Sequence, residues 1–162
     1  MFVNGVQFFM TISRHIGFGT YEHITNEKTA TLVHSLLWVK FLYNMRGFKI
    51  QTFIMDCQFD PIKADSDNAG IAANTTSRDE NEPIIERYIR TIKDRSRSVW
   101  STLPLKKVTV RMIIEIVAAS VFWFHDLPHN YGISTTMIPR EIITGMTLDY
   151  NFHCKHQYGD YV

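Results

Sequence analysis

Residues 48–55, FKIQTFIM, carry apolar side chains at nearly every position towards their end. A strand of that composition cannot leave one face in water, so it belongs in the middle of a sheet with helices over it. It ends in an acid, Asp56. The flanking sequence supplies both the other strands and the cover. Short β-prone runs at 6–12 and 19–24 flank the turn-like RHIGFG and read as two antiparallel strands, with residues 1–4 the remnant of a strand before them. A long helical segment, 26–47, follows. Asn26 suits its N-cap, Arg46 its last turn and Gly47 its stop, and Leu32, Leu36, Val39 and Tyr43 share one face. After 61–70, polar and turn-rich with at most a short helix, comes a strand at 71–75. Two further helices are expected at 81–102 and 108–124, divided by Leu103-Pro104, and a short one at 139–144 that stops at Gly145. The order predicts an α/β fold: a mixed five-stranded sheet, residues 1–4 at its centre, helices on both faces.

The chain has 162 residues, 45% of them apolar and 20% charged, which is one ordinary domain with a core of its own. A net charge of +1 does not by itself mark a nucleic-acid binder, but the bases are unevenly spread. Between Arg87 and Lys107 the only acid is Asp94. Cys57 and Cys154 form no close pair, which points to a reduced intracellular setting rather than a disulfide framework. The first residues lack the basic lead of a signal peptide, and the apolar run 116–124 is too short to cross a bilayer, so no membrane partner is expected.

The helix at 81–102, NEPIIERYIRTIKDRSRSVWST, combines two faces. Glu86, Arg90, Lys93 and Arg97 fall at i, i+4, i+7 and i+11, so one carboxylate and three cations line one side. Ile85, Ile89, Ile92 and Val99, with Trp100 beside them, make an apolar stripe that needs a core. Spacing alone is satisfied by a surface helix with salt bridges. Asp56 alone is satisfied by a turn-opening aspartate. Taken together, an acid ending a buried strand and an acid opening a basic helix form a pattern that carboxylate-bound divalent ions use at phosphodiesters. The cations beyond Glu86 would then meet the DNA backbone.

MDCQFD at 55–60, ERYIRTIKDR at 86–95, the apolar helix 108–124 and IPREIITGM at 138–146 resemble the corresponding segments of copia-type (Ty1-like) LTR retrotransposon integrases. That family belongs to the retroviral integrase superfamily, and the likeness runs over nearly the whole chain. The resemblance implies a ribonuclease H-like catalytic core over 1–128, with 129–162 as a C-terminal extension of it. It implies that Asp56 and Glu86 are the second and third acids of the catalytic triad and ligands of Mg2+ or Mn2+. Arg87, Arg90, Lys93 and Arg97 would contact DNA, at element ends and in the target. A homo-oligomer and a nuclear place of action go with such a role.

Three departures bear on activity. The family's first aspartate falls off the start of this chain or at its very edge, and no acid precedes Glu22. The gap from Asp56 to Glu86 is shorter than the family's, and Cys57-Gln58 stand where the family has Asn-Gly. The expectation is therefore an integrase-core domain that does not catalyse strand transfer as this 162-residue chain. The alternative is a remnant of the same fold that binds DNA or serves structure only. The other motifs are weaker. HCKH at 153–156 lacks a partner pair for a metal finger, Pro128 interrupts any helix joining His125 to His129, and Cys57 is expected as an inert thiol at the core edge.

Overall fold

The computed structural model describes residues 1–75, 83–128 and 132–155. Among these residues lie five strands: β1 (Phe2–Val3), β2 (Val6–Ile12), β3 (Gly19–His23), β4 (Thr52–Met55) and β5 (Ala72–Thr75). Six α-helices accompany them: α1 (Thr29–Asn44), α2 (Lys63–Asn68), α3 (Pro83–Thr102), α4 (Val110–Phe124), α5 (Pro139–Thr144) and α6 (Tyr150–His153). A 3-10 turn, Cys57–Ile62, joins β4 to α2. Among the described residues no helix is long and apolar enough to cross a membrane.

The strands form two ladders. β1, β2 and β3 make an antiparallel meander, and β4 and β5 pair in parallel with Met55 opposite Thr75. β1 is therefore an edge of the meander and not the centre of one sheet. The reason is local. Asn4 (φ 46°) and Gly5 (φ 80°) both adopt the left-handed region that a two-residue hairpin needs, and they fold β1 straight back with Val3 opposite Val6.

Helices cover both faces, as alternation along β2 requires. Phe8 faces α3 and α4, packing with Tyr88, Ile92, Ile113, Val117 and Val121. Phe9 points the other way, into a cluster of Ile24, Leu32, Met55, Ile62 and Ala73 built from α1, the parallel pair and the turn after β4. A third cluster joins Ile16, Phe18, Val39 and Tyr43 to Ile143, so α5 is part of the core. The predicted face of α1, Leu32-Leu36-Val39-Tyr43, is the buried one.

Several boundaries differ from expectation. α1 starts at Thr29 and not at Asn26, because the Asn26 side chain caps from outside the helix. Its Oδ1 accepts from the Lys28 N–H at 3.1 Å and the Thr31 hydroxyl at 2.9 Å. The strand expected over 48–55 is shortened to Thr52–Met55, with Phe48 and Ile50 packing on the third cluster as irregular chain. The polar stretch expected to be mostly turn is the 3-10 turn plus α2, which makes the crossover between two parallel strands.

Candidate nucleic-acid interface

α3 is the element on which the site stands. It buries Tyr88, Ile92 and Ser96, an i, i+4, i+8 seam. Ile85, Val99 and Trp100 flank this seam in part-buried positions, as does Ile89. The core line thus runs through Tyr88 and Ser96, polar-tipped residues that an apolar count passes over. Ser96 is buried because α4 comes close. Its hydroxyl lies 3.1 Å from that of Ser120, which donates its own proton to the Ile116 carbonyl at 2.8 Å, so Ser96 is the donor to Ser120. Tyr88 is set by β3. A Cβ added at Gly19 would lie 2.4 Å from Tyr88 Cζ, so only glycine leaves room for the ring.

With the seam fixed, the opposite side of α3 faces solvent. Glu86, Arg87, Arg90 and Arg97 are exposed and Lys93 is half-buried. Arg97 pairs with Asp94 at 3.0 Å in an exposed i, i+3 bridge, a weak contact that leaves further guanidinium donors available. Arg95 lies on the other flank, its guanidinium 5.6 Å from the centroid of the Phe124 ring, and serves packing with α4. Four cations therefore lie on or beside the Glu86 side.

Asp56 stands at the carboxyl end of β4, where ligands of open α/β sheets collect. Its Oδ1 accepts from the Cys57 N–H at 2.7 Å, which caps the 3-10 turn. Asp56 is exposed. Glu86 occupies the first turn of α3. Both are carboxylates, so the donor type fits a hard divalent ion. Among the described residues no group of three or more His, Cys, Asp or Glu side chains comes together to hold a metal. Cys57 is exposed rather than at the core edge, since the 3-10 turn carries it outward. Cys154 is also exposed, while His129 and His156 of the weaker motifs, and the loop 76–82 with Glu82, lie outside the described residues.

His125 is a functional-looking residue that turns out to be core. It is 5% exposed, stacks on Phe18 at 4.3 Å between centroids, and its Nε2 accepts from the Gly19 N–H at 3.0 Å. The accepting nitrogen must be unprotonated, so the proton of the neutral ring is on Nδ1. Burial, with a smaller push from Arg140, lowers its pKa to about 3. Next to it Asp126 is buried too, its Oδ1 3.8 Å from Arg140 Nη1, and burial raises its pKa against the opposing pull of Arg140. Arg140 also sits 4.2 Å over the Phe122 ring.

No family model and no curated protein matches this sequence. Among solved structures, the catalytic core domain of BIV integrase is similar with a TM-score of 0.59 over 95% of this chain and 92% of that one. The two sequences are 16% identical. The chain has the fold of a retroviral integrase catalytic core. The integrase-core fold accounts for the antiparallel meander followed by a helix, a parallel pair and the long α3, and it is the ribonuclease H-like α/β fold that the sequence predicts.

Proposed function

We propose that this chain is the catalytic core of a copia-type retrotransposon integrase, acting on DNA in the nucleus, and that in these 162 residues it binds DNA without transferring strands. The observation that carries the reading is the division of α3 into a buried seam and an exposed side bearing Glu86, Arg87, Arg90, Lys93 and Arg97. Sequence-independent DNA binding needs clustered cations free to meet phosphates, and this face has them. Asp56 and Glu86 are the two acids it contributes to a metal site for Mg2+ or Mn2+. The resemblance assigns the bridge between a pair of ions to a first aspartate, and no acid precedes Glu22 to take that place. The form proposed for these 162 residues is therefore binding without turnover.

The exposed α1 residues Trp38 (46%) and Phe41 (62%) support self-association as part of this proposal, because aromatic rings left in water favour an interface.

Two experiments test it. Duplex DNA binding by fluorescence anisotropy is expected to weaken at least tenfold in Arg90→Ala/Lys93→Ala, roughly the loss of two phosphate contacts. Equal affinity would remove the phosphate role of α3. A strand-transfer assay with magnesium or manganese is expected to give no product from the 162-residue chain. Product that disappears in Asp56→Ala would show that a third acid has been overlooked within these residues.

A further inference from the structure

Between the β1–β2 hairpin, α3 and α4 lies a cavity of about 370 Å³. Lys93 and Arg97 reach it from α3, with Trp100 and Ser101 one turn on, and Phe2 and Asn4 close it from the hairpin. None of its lining residues is acidic. We propose that this cavity takes one unpaired nucleotide of bound DNA, its phosphate on Lys93 and Arg97 and its base against Trp100 and Phe2. This deepens the DNA-binding reading and rests on it.

The argument is one of matched chemistry. A bare anion would use the two cations and leave the rings idle. An apolar ligand would use the rings and leave the cations unpaired. A nucleotide has a charged end and a flat aromatic end, and aromatic side chains take bases of any sequence by stacking. The volume is near the lower end for small-molecule pockets, which suits one nucleotide and not a stacked pair of them. A paired base has its faces covered by its neighbours, so the occupant must be out of the duplex stack. Arg97 donates to Asp94 at 3.0 Å through Nη1 and keeps its remaining donors. The indole of Trp100 is part-buried against the Phe8 cluster, which holds it in place, whereas Phe2 is 56% exposed.

The position along α3 also bears on which nucleotide enters. At 1.5 Å rise per residue, Lys93 and Arg97 lie about 10 and about 16 Å beyond Glu86 along the helix axis. With about 3.4 Å per nucleotide step, that is roughly three to five steps along a strand that passes Glu86. A frayed or single-stranded end of an element would present such a nucleotide.

The test uses the 162-residue chain and three labelled probes: a blunt duplex, the same duplex with a short thymidine tail, and the same with an abasic tail. The tailed probe is expected to bind about tenfold more tightly than the blunt one. Most of the gain should be lost with the abasic tail, which keeps only the phosphate contact, and in Trp100→Leu and Phe2→Ala, while blunt-duplex affinity stays unchanged. Phe2→Ala keeps the test decisive if Trp100→Leu fails to fold, since Phe2 is largely outside the core. Equal binding of tailed and blunt probes, or a tail gain that survives both substitutions, overturns the pocket and leaves the DNA reading standing. Binding to neither probe overturns both.

Discussion

His125 shows how a single side chain can set the pH response of the whole domain. Its folded pKa, about 3, lies below the ordinary histidine value of about 6.5, because protonation would bury a charge and set it near the Arg140 cation. Between those values the unfolded chain binds a proton that the folded chain refuses. Stability from this residue is therefore complete above about pH 6.5 and is lost as pH falls towards 3, by up to about 1.4 kcal/mol per pH unit. Arg140 and Arg95 face the ring and add to the refusal. Urea midpoints measured from pH 7 to pH 4 are expected to fall more steeply in the natural chain than in His125→Gln, which retains an acceptor and cannot titrate. Parallel profiles would place the acid sensitivity elsewhere. In the sequence His125 reads only as one half of a His125–His129 pair that Pro128 keeps off a common helix. What decides its role is Gly19, 106 residues away, and no local pattern carries that information. Tyr88 is illegible for the same reason, since its burial depends on a glycine in another element.

At the scale of elements, the docking of α5 depends on Arg140. Its guanidinium stands 3.8 Å from the buried Asp126 at the end of α4 and lies over the Phe122 ring, while Ile143 fills the third core cluster. Removing one member of a buried pair leaves the other charge uncompensated, at about 3–5 kcal/mol. Arg140→Ala is therefore expected to destabilise the fold by a few kcal/mol at neutral pH, less than that range because the pair is beyond hydrogen-bond distance. Part of the loss should return in mild acid, because Asp126, whose pKa burial already raises, can then become neutral. Chemical denaturation of the variant at two pH values measures this. A loss that grows on acidification, after the His125 contribution is subtracted, would contradict it. The α1 face and the charged side of α3 follow from periodicity, whereas the apolar run at 48–55 gives a strand only over Thr52–Met55, in a two-stranded ladder that leaves Ile54 exposed. The edge position of β1 was legible too, in Asn4-Gly5, a strong hairpin signal that the expectation of a central strand left out. The start of α1 was missed because asparagine caps equally well from inside a turn before the helix.

At the scale of the molecule, the integrase-core fold and the face of α3 make one account. The sheet holds Phe8 against Tyr88 and Ile92, that contact fixes the rotation of α3, and the rotation turns Glu86, Arg87, Arg90 and Arg97 to water with Lys93 at their margin. Residue spacing was enough to predict which side of the helix is charged, whereas the cavity beside Lys93 needed the β1–β2 hairpin folded over α3 and α4 to be seen. The proposed metal site divides the same way: Asp56 and Glu86 are legible as acids at the ends of elements, and whether they converge on one ion is a property of the fold. The most direct test of the account is the salt dependence of duplex DNA binding, because its slope counts phosphates neutralised and is indifferent to base sequence. Four cations on the α3 side predict a slope of log affinity against log salt of roughly −3 to −4, falling in magnitude by about two in Arg90→Ala/Lys93→Ala. A slope left unchanged by that double substitution would mean that DNA, if bound, lies on another face, and would contradict the account.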